Sequence, residues 1–244
     1  MAIGFDEATT YYTIPDAPDL TLQDGDWCVG IWTYVSDNAG ENYQVLISNN
    51  DLNANDSLNI YLYEDDQGVN PGIWCVVAED SDGTNTGYVK SAGTPGGDSI
   101  WRLIVVQRDD SENEIQIWFC EPGAAATKEA SAADTNFAAV DGGDWNVGRR
   151  VDGDPDRYYG SIAAEFFKGD FALTQAQIQA LAAGLPILTL AAQASLTLDV
   201  YLPMWQADAT LLDYSNNGND ATRSSAPTTE THAPVCTPVK RRRM

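Results

Sequence analysis

Apolar residues recur at every second position through short stretches along most of the chain, and Asn, Asp, Gly and Ser clusters separate those stretches. Period two is the signature of strands, because successive side chains leave a strand on opposite faces. Trp27–Val35 (WCVGIWTYV) puts Trp27, Val29, Ile31, Thr33 and Val35 on one face and Cys28, Trp32 and Tyr34 on the other. Both faces are bulky, which predicts a strand covered on each side. Further strands are expected at Tyr43–Ser48, Leu58–Tyr63 and Gly72–Ala78, each bounded by polar turns. Trp101–Gln107, the acidic turn Arg108–Glu114 and Ile115–Cys120 read as an antiparallel hairpin. Later strands are expected at Trp145–Gly148, Ser161–Phe167 and Leu196–Trp205.

One helix interrupts this pattern. Thr174 and Gln177 have the spacing of a capping box, and Gln175–Ala183 is rich in Ala, Gln and Leu. Gly184 supplies a left-handed end and Pro186 blocks continuation. Ile178, Leu181 and Leu185 form one apolar stripe that would lie on a sheet. Many short strands with a single helix predict an all-β sandwich. Residues 1–222 would form that domain. From Arg223 onward the chain is rich in Pro and Thr without periodicity, so residues 223–244 are expected to be an extended C-terminal tail.

Composition adds constraints. With 43% hydrophobic residues, including seven Trp, the chain has material for a core, which excludes the disordered class. Thirty-six acidic residues against thirteen basic ones give a formal charge of -23, so phosphate backbones and anionic membranes are disfavoured partners. Four of the basic residues sit together at the end, Lys240, Arg241, Arg242 and Arg243. Such a cluster either grips an acidic partner surface or is simply solvated. Cys28, Cys75 and Cys120 fall inside apolar runs and read as buried free thiols. The first residues lack a basic start and an apolar core, so no signal peptide is expected and synthesis in a cytoplasm follows.

The order of several segments suggests a family. Leu20–Val35 (LTLQDGDWCVGIWTYV) resembles the opening strands of laminin G-like, concanavalin A-like domains, and Tyr43–Ser48 resembles the strand that follows them. Trp101–Gln107 and Ile115–Phe119 resemble the central hairpin of such domains. The stretch Tyr159-Gly160-Ser161-Ile162-Ala163-Ala164-Glu165, then Phe171–Leu181, is similar to their late strand and helix. The ending, Asp213–Asn219 then His232-Ala233-Pro234, is similar to the C-termini of such domains in tailed bacteriophage and prophage proteins. The resemblance implies an all-β, two-sheet antiparallel jelly-roll sandwich (concanavalin A-like) with one short helix, in a virion structural protein.

Candidate chemistry is sparse. A glycosidase needs two carboxylates at defined separation, and no strand carries alternating ones; His232 is the only histidine and lies in the tail. No enzyme activity is therefore expected. Asp51, Asn53 and Asn55 alternate, as do Asp152, Asp154 and Asp156, in the manner of oxygen ligands for calcium. Leu62 and Ala163 stand where an acidic twelfth ligand belongs, so neither is an EF-hand, and solvated Asp-rich turns are the preferred reading of both. No cofactor is required, and calcium is the one these loops suit. Tyr158 and Tyr159, after an Asp-rich loop, are the aromatics best placed to stack on a sugar, or else to cover the sandwich.

Taken together, these features predict a non-enzymatic bacteriophage virion subunit, a capsid decoration (cement) or fibre-associated protein, on the virion surface. Its expected partners are the major capsid or other virion proteins and further copies of itself, with no membrane partner. A lectin-like module that adheres to host glycans is the alternative.

Overall fold

The fold comes from a computed structural model describing residues 2–5, 10–35, 43–49, 57–63, 73–79, 86–91, 100–133, 140, 143–149, 160–204, 208–225 and 228–230. The first strands in chain order are β1 (Ala2–Phe5), β2 (Tyr12–Ile14), β3 (Trp27–Val35), β4 (Tyr43–Ser48), β5 (Ser57–Tyr63) and β6 (Ile73–Glu79). Then come β7 (Thr86–Lys90), β8 (Trp101–Asp109), β9 (Glu114–Cys120), β10 (Thr127–Ala133), β11 (Trp145–Val147) and β12 (Gly160–Gly169). After helices α1 (Gln175–Ala182) and α2 (Ile187–Ala194) follow β13 (Leu198–Pro203), β14 (Thr210–Leu211), β15 (Ala221–Arg223) and β16 (Thr228–Glu230).

These strands make two eight-stranded antiparallel sheets. The first has the order β10-β9-β8-β3-β12-β1-β16, with β13 also paired to β12; the second runs β14-β15-β2-β11-β4-β5-β6-β7. Inward residues of both sheets share one core, including Trp27, Ile31, Ile104 and Phe166 from the first and Ile14, Ile60, Trp74 and Trp145 from the second. The all-β sandwich expected from the period-two pattern, with the jelly-roll architecture that the resemblance implies, is therefore the observed fold.

The first sheet is covered twice. Cys28, Trp32, Leu103, Val105 and Phe167 point away from the sandwich core into a second core, closed by Ile178 and Leu181 of α1 and by Ile187 and Leu190 of α2. This is why β3 is bulky on both faces. At its centre Gly30 leaves room for the Phe167 ring: a Cβ built there would lie 2.1 Å from Cζ of that ring. The loop leading to α1 is pinned by Gln107, whose amide donates to the Leu173 carbonyl (3.1 Å) and accepts the Leu173 N–H (2.9 Å). Cys28, Cys75 and Cys120 are buried free thiols.

Helix α1 carries both expected caps. Thr174 Oγ1 accepts the Gln177 N–H while the Gln177 side chain accepts the Thr174 N–H. Gly184 (φ 96) closes the helix as Leu185 N–H donates to Ala180 O and Gly184 N–H to Leu181 O. The expectation of a single helix is corrected by α2. Pro186 does stop α1, but it is also the cap residue of α2, since proline tolerates a helix start where no N–H is needed. Part of the segment read as tail also joins the body: Thr228–Glu230 pair with Ala2–Gly4 at the edge of the first sheet.

A bulge in β12 supplies the cap that Pro186 lacks. The register to β3 skips from Ala163 to Phe166, with Ala164 left-handed (φ 59). This turns Glu165 away from the ladder so that its Oε2 accepts the Ile187 N–H (3.2 Å) at the start of α2. Burial pushes the Glu165 carboxyl from 4.5 up to about 7, outweighing that hydrogen bond. The folded chain thus holds this proton more tightly than the unfolded chain does. The stability it supplies is complete below pH 4.5 and is lost as pH rises through about 7. Ionising it costs on the order of 3 kcal/mol. Glu165→Gln, which keeps an acceptor for Ile187, is expected to melt above the native chain at pH 8 and together with it at pH 4. Parallel melting profiles for the two chains would refute this.

Two polar hubs tie the remaining segments. Lys168, 0% exposed, donates from Nζ to Asp199 Oδ2 (2.6 Å), Asp170 Oδ1 (2.8 Å) and the carbonyls of Asp19 (2.9 Å) and Thr21 (3.2 Å). Asp213 closes the loop after β14. Its Oδ1 accepts the N–H groups of Tyr201 and Ser215. Its Oδ2 accepts the Ser215 hydroxyl and the N–H groups of Gly218 and Asn219. Asn219 then reaches Asp19 Oδ2 (2.8 Å) and the Asp199 carbonyl (2.9 Å), joining the two hubs.

Candidate functional site

The second sheet carries no helix layer among the described residues, and its outward positions are unusual. On β2, Tyr12 and Ile14 face the core, so Thr13 faces out; on β11, Trp145 and Val147 do the same and leave Asn146 outside. Asn59 lies between core-facing Leu58 and Ile60. The register aligns these positions across six strands: Thr210 pairs with Thr222, Thr222 with Thr13, Thr13 with Asn146, Asn146 with Ser48, and Ser48 with Asn59. Six short polar side chains thus form one row across the sheet, roughly 24 Å long at the usual strand spacing. Thr13 Oγ1 donates to Asn146 Oδ1 (2.8 Å) within it.

The row changes in character along its length. Thr210 and Thr222 are exposed and Thr13 is half-buried, whereas Asn146, Ser48 and Asn59 are buried. At the buried end neither amide atom of Asn59 has a hydrogen-bond partner among the described residues, nor do Ser57 Oγ, two residues away on the same face, and Asn49 Nδ2. Buried polar atoms are normally paired, because an unmade hydrogen bond costs about 1–3 kcal/mol. Beyond Asn59, the same face turns apolar, with Val45, Tyr61 and Cys75 in a small cluster.

Beside the open half stand Tyr11 and Arg149. Tyr11 precedes Thr13 by two residues and so shares its side of the strand. Gly148 (φ 90) lets the chain turn after β11, and the Arg149 guanidinium sits 4.7 Å from the Tyr11 ring centroid.

All the residues singled out from sequence as candidate sites lie outside the described residues: Tyr158 and Tyr159, Asp51, Asn53 and Asn55, Asp152, Asp154 and Asp156, and Lys240 to Arg243. Among the described residues there is no group of three or more His, Cys, Asp or Glu side chains able to hold a metal ion. No helix among them is long and apolar enough to cross a membrane. Sequence reading misses the polar row because each strand contributes one member and the members are scattered from residue 13 to residue 222. The available signal is a short polar residue at the outward position of successive strands, and only strand order converts that into a surface.

No protein-family model and no curated protein matches the sequence. Among solved structures, the chain is similar to a putative carbohydrate binding protein from Bacteroides ovatus, with a TM-score of 0.66 at 16% identity; 96% of this chain is covered, and it spans 61% of that protein's length. A weaker likeness links it to the CBM40 of the Ruminococcus gnavus IT-sialidase, with a TM-score of 0.49, 13% identity and 66% and 84% of the two chains covered. Another links it to the enzymatically active domain of bacteriophage CBA120 tailspike protein 2, with a TM-score of 0.47, 12% identity and 68% and 25% covered. The first of these likenesses, together with the order of strands in the two sheets, shows a two-sheet antiparallel jelly-roll sandwich.

Proposed function

We propose that this chain is a non-catalytic, glycan-recognising jelly-roll module, displayed on a bacteriophage particle. The observation that carries glycan recognition is the polar row Thr210–Thr222–Thr13–Asn146–Ser48–Asn59 on the face that carries no helix among the described residues. Its solvent-reaching members, Thr210, Thr222 and Thr13, offer hydroxyl donors and acceptors without net charge, which is the chemistry that sugar hydroxyls require. Likeness in fold to a putative carbohydrate binding protein supports the same reading. Non-catalysis is supported by the chain's single histidine. The buried carboxyl of Glu165 also has a structural task at the start of α2.

The virion setting rests on sequence resemblance. The Asp213–Asn219 segment that contributes to it is occupied in locking the sandwich, so it bears on architecture first. A second reading, a cement or fibre-associated subunit that binds no glycan, is favoured by a different observation. Strand β16 adds to the edge of the first sheet, and the residues after it include the basic group Lys240–Arg243, against a strongly acidic body. Such a tail suits docking on neighbouring copies or on capsid proteins.

One experiment separates the two readings. The purified chain is applied to a glycan microarray and, in parallel, sedimented with particles. Selective glycan binding that falls about tenfold in Thr222→Ala, an exposed member of the row, is expected, the loss of roughly one well-made hydrogen bond. Fixed stoichiometry on particles with no glycan bound would replace this reading with the cement one.

A further inference from the structure

Arg149 breaks the rule that other cations of this acidic chain follow. Arg102 pairs with Glu121 (3.1 Å), Arg108 with Asp110 (3.0 Å), Lys128 with Glu112 (3.0 Å) and Lys168 with Asp199 (2.6 Å). Arg149 makes no ion pair among the described residues. Its Nε is buried without a hydrogen-bond partner among them, and its guanidinium is stacked over Tyr11. An arginine held in place by an aromatic ring and paired with no carboxylate among the described residues is poised for one from outside.

Its position says what else that ligand carries. Tyr11 and Arg149 flank the Thr13–Asn146 pair, where the polar row passes from exposed Thr222 through half-buried Thr13 to buried Asn146. We propose that Arg149, oriented by Tyr11, binds the carboxylate of an acidic saccharide whose hydroxyls lie along Thr13 and Thr222. The inference rests on the glycan reading above and adds the class of sugar. A guanidinium presents paired N–H donors that match both oxygens of a carboxylate, and stacking on a ring restricts it to one orientation. The same charge balance limits the ligand. A formal charge of -23 opposes a polyanion, whereas a single carboxylate set against Arg149 is shielded from distant charges beyond about 8 Å at physiological salt. The ligand class is therefore a saccharide presenting one carboxylate, as at a terminal sialic acid or a single uronic acid.

The test uses the full chain on an array of sialylated, uronate-containing and neutral glycans, with each acidic glycan also present as its carboxyl methyl ester. Acidic glycans are expected to bind at least about tenfold more tightly than their esters. Arg149→Gln should erase that difference, and Arg149→Lys should retain part of it, since lysine keeps the charge but not the fork. Comparison of acid with ester on the native chain needs no variant, so a misfolded variant cannot hide the answer. Equal binding of acid and ester would overturn the inference and leave the glycan reading standing. Binding of no glycan at all would overturn both.

Discussion

Lys168→Met is expected to destabilise the chain by about 3–5 kcal/mol, measured by urea denaturation. The side chain is 0% exposed and its ammonium is shared by two carboxylates and two backbone carbonyls. Methionine fills the space of the stem but leaves Asp199 facing the same low-dielectric site without a cation. Burial already pushes the Asp199 carboxyl up to about 6 even with Lys168 beside it, so the unpaired anion is the dominant cost. A second substitution exposes that cause. Adding Asp199→Asn to Lys168→Met removes the charge and should recover a large part of the loss, a coupling visible in a double-mutant cycle. A cost below about 1 kcal/mol for Lys168→Met would mean that this ion pair contributes little beyond its shape.

Asp213→Ala is the second large expected effect, a loss of about 3 kcal/mol with local opening of the loop that follows β14. One carboxylate there accepts from Tyr201, Ser215, Gly218 and Asn219, and alanine leaves all those donors unmatched. Asparagine is no substitute, because its NH₂ would face N–H groups. Hydrogen exchange locates the effect: the amides of Tyr201, Gly218 and Asn219 should lose protection in the variant while those of β3 keep theirs. Uniform loss across the sandwich would place Asp213 in the global fold instead. Unchanged protection at the three amides would remove it from the account.

Much of the fold is legible in the sequence because it is local. The alternation in Trp27–Val35 marks a strand covered on both faces, and the Thr174–Gln177 spacing marks the start of α1. Where local signals carry two meanings, reading fails: Pro186 is a stop for one helix and equally the start of another. The bulge at Ala164 and Glu165 has no sequence signature, since an alanine with φ 59 is imposed by the strands around it. The polar row is illegible for a further reason. Thr13 and Asn146 are 133 positions apart and meet through register alone.

That register separates two kinds of information. On β2, β14 and β15, the residues that build the core (Tyr12, Ile14, Leu211, Ala221) alternate with those assigned to a ligand (Thr13, Thr210, Thr222). Folding and recognition are thus written in alternate letters of the same strands. Selection can therefore rewrite the outward letters while the inward letters, and with them the sandwich, stay fixed. Under the glycan reading proposed above, a change of sugar specificity would need substitutions at only a handful of scattered codons.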